Sequence, residues 1–255
     1  MEQIVSVKNR NGLNMSIKLN VSTDRRKCVF LIHGLGARKT IAHMQVLEDV
    51  FAEKGFNVVN IDTTDSNNDS ERSEIGVTFS GFCHDLEDVI AWAKTQDFYC
   101  EPFALAGQSL GAQAVVWFAS KNPEKVNLLV PVAFCWLDGK EASKTNSRRE
   151  QILDQGYYDQ VSKSTGKVLR ITKAYLDDME NYNFEGEVSK ILAETFILVP
   201  ENDADSRVLS SKRLFELLGC KKQLIVLKGA SHDPANTPET KKVFEDTIFN
   251  ILKNK

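Results

Sequence analysis

Short apolar segments alternate with longer stretches of helical periodicity along most of the chain. Val29–Ile32 is an uninterrupted apolar run, typical of a strand covered on both faces of a parallel sheet. Further strands are predicted at 56–61, 103–106, 126–134, 195–199 and 223–227, and helices at 41–54, 82–94, 110–119, 206–218 and 238–252. This alternation predicts an open, mostly parallel sheet with helices on both faces. Before it, residues 3–19 predict an antiparallel hairpin that turns at Asn11–Gly12.

The segment 136–187 has no clear strand–helix unit. It is polar, yet it holds four of the five tyrosines, and Ser162–Gly166 is typical of a turn between two short extended pieces. A long insertion at the working edge of a sheet is often a lid, which we predict here. The alternative is a surface insertion whose aromatic side chains pin it to the core. The lid tyrosines are Tyr157, Tyr158, Tyr175 and Tyr182.

Composition narrows the class of protein. The 255 residues are 42% apolar, enough to fill the core of one domain spanning 1–255. With 32 basic and 35 acidic residues, the net charge of −3 gives no indication of the basic surface that nucleic-acid binding requires.

We expect no membrane span, because the most apolar stretch, Lys125–Trp136, is shorter than the ~20 residues required. The N-terminus lacks the pattern of a signal peptide, and the five cysteines form no CxxC pair. We therefore expect a cytoplasmic protein with reduced thiols.

The strongest local motif is Gly107-Gln108-Ser109-Leu110-Gly111, of the form G-x-S-x-G. It lies directly between a predicted strand and a predicted helix, which is the context this motif requires. The sharp turn would strain the serine backbone and leave the Ser109 hydroxyl at the N-terminus of the helix, where backbone N–H groups stabilise an anion. We predict that Ser109 is a nucleophile; the alternative is a glycine-rich turn without chemistry.

A serine nucleophile requires a neighbouring base. Of the four histidines, His232 follows the last predicted strand and precedes the last helix, where a parallel sheet presents functional loops. His232 is therefore the predicted base, with His33, immediately after a strand, as the alternative. His43 and His84 fall on helical stretches and are expected to be partly exposed.

The base in turn requires a carboxylate. Three acids follow the predicted strand 195–199, and Asp203 has the most suitable position. Asp205 and Glu201 are the alternatives, and Asp205 could instead cap the next helix. The chain order Ser109, Asp203, His232 is the order expected of a hydrolase built on this elbow. Two backbone N–H groups are predicted to stabilise the oxyanion: that of Leu110, and that of Leu35 in the His33-Gly34-Leu35-Gly36 loop.

These motifs together resemble the α/β-hydrolase superfamily of serine hydrolases over essentially the whole chain. The resemblance implies the α/β-hydrolase fold: a mostly parallel, eight-stranded sheet with helices on both faces and an inserted lid. Within the superfamily the chain is similar to small intracellular carboxylesterases, including cinnamoyl-esterase-like enzymes, in its insertion and in Phe79-Ser80-Gly81. It departs from them after the fourth strand, where a D-x-R-G-H-G-type loop is common and this chain has the polar segment Asp62–Ser70.

The resemblance implies hydrolysis of a small carboxylic ester, with a short-to-medium or aromatic acyl group, through an acyl-enzyme. No cofactor and no metal is expected. Monoacylglycerols, lysophospholipids, thioesters, peptides and C–C bonds are alternative substrates for the same triad. A ligand-binding protein on a hydrolase fold is the alternative that is not an enzyme. A homo-oligomer is possible, and the sequence does not determine the oligomeric state.

Overall fold

A computed structural model describes residues 2–22, 27–136, 147–161 and 166–255. Within these residues, eight strands form one sheet: β1 (Glu2–Lys8), β2 (Asn14–Asn20), β3 (Cys28–Ile32), β4 (Asn57–Ile61), β5 (Phe103–Gln108), β6 (Val126–Val132), β9 (Glu194–Pro200) and β10 (Lys222–Leu227). Their order across the sheet is β1-β2-β4-β3-β5-β6-β9-β10. The six strands from β4 to β10 in this order are parallel, and β1 and β2 are antiparallel to their neighbours.

Two apolar layers cover the sheet. Alternate residues of β3 face opposite sides, so that Val29 and Leu31 pack in one layer while Phe30 and Ile32 pack in the other. The layer around Val29 includes residues of α1 and α8, and the layer around Phe30 includes residues of α2, α3 and α7. The main helices are α1 (Ala42–Glu53), α2 (Phe79–Ala93), α3 (Leu110–Lys121), α7 (Asp205–Leu217) and α8 (Pro238–Ile251).

The predicted segment order is confirmed, with shifts at some boundaries. Helix α2 begins at Phe79, earlier than the predicted residue 82, because the Thr78 side chain caps it by accepting from the Gly81 N–H. Strand β6 ends at Val132 and not at 134, since Ala133 has a φ of 51° and leaves the strand conformation. The hairpin turns as predicted, with Gly12 at a φ of 80°.

The insertion contains a second, two-stranded sheet. Strands β7 (Tyr157–Val161) and β8 (Val168–Thr172) pair antiparallel, as two short extended pieces around a turn would. The predicted turn at Ser162–Gly166 and the insertion's 137–146 lie outside the described residues, apart from Gly166. Helices α4 (Ser147–Gln155), α5 (Lys173–Met179) and α6 (Phe184–Glu187) complete the described part of the insertion.

The polar segment Asp62–Ser70 is mostly buried and is held by a buried ion pair. The Lys39 ammonium and the Asp62 carboxylate lie 2.5 Å apart, and both side chains are at most 2% exposed. Lys39 also donates to Ser16 Oγ at 2.9 Å, and its backbone N–H donates to Asp62 Oδ1 at 2.6 Å. Since Lys39 belongs to the loop after β3 and Asp62 follows β4, this pair ties the ends of two neighbouring strands together.

Replacing Lys39 by methionine should destabilise the fold, because it leaves the Asp62 carboxylate buried without its cation. We expect Lys39→Met to lower the free energy of unfolding by about 3 kcal/mol, measured by urea denaturation. Lys242→Met is the matched control, since it removes an exposed ion pair with Asp246 and should cost less than ~1 kcal/mol. Equal losses in the two variants would contradict a structural role for the buried pair.

Candidate active site

Ser109 lies at the turn between β5 and α3 in a strained backbone conformation. Its φ is 55° and its ψ is −115°, outside the regions that a residue with a side chain ordinarily occupies. The flanking glycines permit the turn: a Cβ on Gly107 would lie 2.5 Å from the Gly111 carbonyl oxygen, and one on Gly111 would collide with the backbone of Ile32 and His33. The turn therefore requires glycine on both sides of Ser109.

Asp203 and His232 form a hydrogen-bonded pair at the same edge of the sheet. Asp203 follows β9 and His232 follows β10, and His232 Nδ1 lies 2.9 Å from Asp203 Oδ2. Asp203 Oδ1 accepts from the Ala204 N–H at 2.7 Å and from Arg207 at 2.8 Å. Burial opposes ionisation of Asp203, but the hydrogen bond from His232 and the nearby cations lower its pKa below the usual value. Asp203 therefore stays ionised and fixes the Nδ1–H tautomer of His232.

The other two acids of this loop do not reach His232. Glu201 is bound instead by the Lys228 ammonium and the Gly229 N–H, each at 2.8 Å. Asp205 is the first residue of α7 and is exposed. The N-cap of this helix, for which Asp205 was a candidate, is Ala204. The structure thus separates Asp203, which contacts His232, from Asp205 and Glu201, which contact other groups or solvent.

His232 Nε2 is within hydrogen-bonding distance of the Gln108 side-chain amide. The Gln108 Nε2 atom lies 3.2 Å from His232 Nε2 and donates to the His232 carbonyl oxygen at 3.0 Å. Among the described residues no hydrogen bond joins the Ser109 hydroxyl to His232. The structure therefore brings Asp203 and His232 together, places Ser109 next to Gln108 in the chain, and leaves the Ser109–His232 contact unmade. The sequence analysis assigned no role to Gln108.

His33, the alternative base, is buried and fully engaged. Its Nδ1 atom lies 2.7 Å from the Gly34 carbonyl oxygen, so this nitrogen carries the proton. Its Nε2 atom faces two donors, the Thr63 N–H at 3.2 Å and the Asn68 amide at 3.1 Å. Burial lowers the pKa of His33, against the opposing charge of Asp62. The His33 imidazole is therefore neutral, and its acceptor nitrogen already receives hydrogen bonds from the protein. Because this side chain is buried, it does not reach a substrate, and it stabilises the loop instead.

The expectation that His43 is partly exposed is wrong. His43 is 3% exposed, and its Nδ1 atom lies 2.9 Å from Oδ1 of Asp233 in the loop after β10. The adjacent His232 and Asp233 thus bind two different partners, which holds the 232–233 loop between Asp203 and α1. His84 is half-buried, as expected.

A cavity of about 150 Å³ opens beside Ser109 and contains both predicted oxyanion donors in its wall. Leu110 is the first residue of α3, where a backbone N–H has no acceptor within the helix. Leu35 is held from the insertion, since Gln160 on β7 donates to its carbonyl oxygen at 3.1 Å. The full lining is Leu35, Ser109, Leu110, Gln113, Cys135, Arg148, Arg149, Ile152, Tyr175, Leu176 and Arg207.

The four tyrosines of the insertion have different surroundings. Tyr175 lines the cavity, and burial raises its pKa to about 12, against the opposing charge of Arg148. Tyr182 packs against the rings of Phe79 and Trp117. The guanidinium of Arg170 lies over the Tyr157 ring, and that of Arg148 over the Tyr158 ring. One tyrosine therefore faces the candidate site as a neutral phenol, and Tyr182 pins the insertion to the core.

Comparison with known proteins agrees with this architecture. Residues 23–146 match a family model described as serine aminopeptidase, S33. No curated protein matches the sequence significantly. The structure of Est1E from Butyrivibrio proteoclasticus with ferulic acid bound superposes with a TM-score of 0.81 at 16% identity over 98% of each chain. Mouse alpha/beta hydrolase domain-containing protein 10 gives 0.78 at 15% over 98% of each chain.

A third similar structure, the alpha/beta hydrolase GrgF from Penicillium sp. sh18, gives a TM-score of 0.76 at 18% identity over 99% of this chain and 98% of its own. The protein therefore has the α/β-hydrolase fold, and it resembles esterases that share this fold. In the part of the chain that the structure covers, no helix has the length and apolar character needed to cross a membrane. Nor do the described residues include three or more His, Cys, Asp or Glu side chains grouped to hold a metal ion.

Burial of neutral His33 predicts a dependence of stability on pH. Its pKa is lowered in the folded state from the usual 6.5, so the unfolded chain binds the proton more readily. The stabilisation is therefore complete above about pH 6.5 and is lost as the pH falls through the folded-state pKa. Between about pH 7.5 and pH 5, the free energy of unfolding should therefore decrease less in His33→Gln than in the wild type. Urea denaturation at a series of pH values measures both decreases.

His84→Gln is measured alongside as a control for the loss of an imidazole. Parallel pH dependences for the wild type and His33→Gln would show that His33 does not titrate between the folded and unfolded states as inferred.

Proposed function

We propose that this protein is a serine hydrolase that cleaves carboxylic esters through an acyl-enzyme intermediate. The observation that carries the proposal is the strained Ser109 at the β5–α3 turn, with a hydrogen-bonded Asp203–His232 pair at the same sheet edge. Ser109 is the nucleophile, His232 the general base and then the general acid, and Asp203 the group that orients the imidazole. The fold by itself would support other activities, so the proposal depends on this site.

In the first half of the reaction, Ser109 Oγ attacks the ester carbonyl as His232 Nε2 takes its proton. The N–H groups of Leu35 and Leu110 stabilise the negative charge on the carbonyl oxygen. The imidazolium, stabilised by ionised Asp203, then protonates the leaving alcohol, and the C–O bond to that alcohol breaks. Water repeats the sequence on the acyl-enzyme, releasing the acid and restoring the Ser109 hydroxyl.

The contact between Gln108 and His232 must change during this cycle. His232 Nε2 accepts a hydrogen bond from Gln108 in the structure, whereas the reaction requires the same nitrogen to face Ser109 Oγ. Hydrogen bonds between catalytic groups are often incomplete before substrate binds and tighten in the complex. We infer that productive binding moves His232 Nε2 from the Gln108 amide to the Ser109 hydroxyl.

The cavity beside Ser109 favours a short acyl group. Its volume of about 150 Å³ is small beside the roughly 300–1,000 Å³ of pockets for drug-sized ligands. The neutral Tyr175 phenol in the cavity wall could also stack on an aromatic acyl group. Est1E, whose structure holds ferulic acid, has a similar fold. Long-chain monoacylglycerols and lysophospholipids are less well accommodated by this volume.

A panel of p-nitrophenyl esters from acetate to palmitate tests the reaction and the acyl preference. We expect kcat/KM to be highest at short chains, and Ser109→Ala to lower it by a factor on the order of 10⁴ or more, because the nucleophile is lost. Methyl hydroxycinnamates extend the panel to aromatic acyl groups. Circular dichroism of Ser109→Ala checks that the variant is folded.

Labelling of Ser109 with a fluorophosphonate separates the remaining alternatives. Labelling without ester hydrolysis would redirect the search to thioesters, peptides or C–C bonds. Absence of labelling would overturn the proposal in favour of a ligand-binding protein. A preference for palmitate would replace the short-chain esterase by a lipase-like enzyme.

The acid of the triad can be assigned by two matched substitutions. Asp203→Asn should lower kcat by about 10⁴, because the amide no longer favours the required tautomer of His232. Asp205→Asn changes an exposed residue of the same loop region and should leave kcat within about twofold. Comparable losses in both variants, measured on the best ester, would contradict the assignment of Asp203.

A further inference from the structure

The charged residues that the structure describes in the wall of the Ser109 cavity are arginines. Arg148 and Arg149 come from α4 of the insertion, and Arg207 comes from α7. Among residues 2–22, 27–136, 147–161 and 166–255, no carboxylate lines this cavity. Because arginine holds its charge throughout the accessible pH range, a substrate that enters this cavity meets a wall of fixed positive charge.

The three arginines differ in how far protein groups neutralise them. Arg207 is paired with the buried carboxylate of Asp203 at 2.8 Å. Arg149 has only a contact of 4.0 Å with Glu180, whose side chain is 72% exposed and therefore well screened by water. Within the described ranges Arg148 has no ion pair, and its guanidinium lies 5.0 Å from the centre of the Tyr158 ring. Two cations of the cavity wall are thus left without a strong anionic partner.

A buried amide in the same wall also lacks a partner. Gln113 is 7% exposed, and its Oε1 atom is buried without a hydrogen bond. Neither end of this amide is bonded to any residue in the described part of the chain. A buried amide without a hydrogen bond destabilises the fold, and a ligand that bonds to the amide removes this cost. Because Gln113 lies on α3 and not on the insertion, its unpaired amide is an independent indication of a polar ligand group and not a purely apolar acyl chain.

We infer that the ester substrate carries an anionic group, a carboxylate or a phosphate, which Arg148 and Arg149 bind while the ester carbonyl lies at Ser109. This inference rests on the proposed function and specifies its substrate class. Guanidinium groups bind both kinds of oxyanion through charge-assisted hydrogen bonds. Rotation of the Gln113 side-chain amide about its last bond would let it present its N–H group to the same anion. The small cavity places the anion within a short acyl chain of the scissile bond.

The first experiment compares two methyl esters that differ only at the far end of the acyl chain. Monomethyl glutarate ends in a carboxylate, and methyl valerate ends in a methyl group. We expect the wild type to favour monomethyl glutarate by at least about tenfold in kcat/KM, followed by proton release in a pH-stat. Replacing both Arg148 and Arg149 by methionine should reduce this ratio at least about tenfold, mainly through KM, since a charged pair held in place is worth about 1.4 kcal/mol or more.

Arg170→Met is the matched control. Arg170 lies on β8 of the same insertion, is bonded to Asp159 and does not line the cavity, so its loss should leave the ratio unchanged. The inference would be overturned if the wild type favoured methyl valerate. It would also be overturned if Arg170→Met reduced the ratio of the two kcat/KM values as much as the double arginine variant does. Hydrolysis of methyl valerate would nevertheless leave the proposed ester hydrolysis intact.

A binding measurement makes the inference independent of turnover. Ser109→Ala should bind monomethyl glutarate in calorimetry, and the triple variant with Arg148→Met and Arg149→Met should bind it at least about tenfold more weakly. Inorganic phosphate is titrated in parallel. Tighter arginine-dependent binding of phosphate than of the ester would identify a phosphate as the anion, whereas equal binding by both variants would contradict the inferred site.

Discussion

The arrangement of the whole site depends on one steric constraint, the close approach of β5, α3 and the loop after β3. Gly107 and Gly111 are so near each other, and Gly111 so near Ile32 and His33, that no side chain fits at either glycine. This approach holds Ser109 at a φ of 55° and puts the first N–H groups of α3 beside its hydroxyl. It also brings the loop that carries Leu35 to the same cavity. The proposed nucleophile and the helix terminus that would stabilise an anion are therefore consequences of the same turn.

The surrounding loops are held by polar groups that are buried and paired. Lys39 and Asp62 join the ends of β3 and β4, and neutral His33 accepts hydrogen bonds from the segment that follows β4. On the other side, Gln160 of the insertion donates to the Leu35 carbonyl oxygen. Because a buried polar group is costly unless it is bonded, these contacts admit few alternative loop positions. The insertion thus contributes to the geometry of the site as well as to its cover.

Charge is distributed unevenly around Ser109. Asp203 is stabilised as a carboxylate by His232 and Arg207, on the Nδ1 side of the imidazole. The described wall of the cavity beside Ser109 holds Arg148 and Arg149 and no acid. The protein as a whole carries a net charge of −3, so this local excess of positive charge is a property of the site and not of the composition. It would attract an anionic substrate and would also favour the oxyanion that forms during the reaction.

The fold class, the strand–helix order and the elbow at Ser109 could be predicted from the sequence, because they follow from periodicity and from glycines at fixed spacing. The sequence analysis ranked Asp203 above Asp205 as the partner of His232, and in the structure Asp203 Oδ2 lies 2.9 Å from His232 Nδ1. The burial of His43, the contact of Gln108 with His232 and the meeting of Arg148, Arg149 and Gln113 in one cavity are visible only in the folded chain. These residues come from separate elements, and the sequence spacing within one element carries no information about which side chains of another will face it. The two arginines of α4 line the Ser109 cavity only because the folded insertion brings this helix beside Ser109.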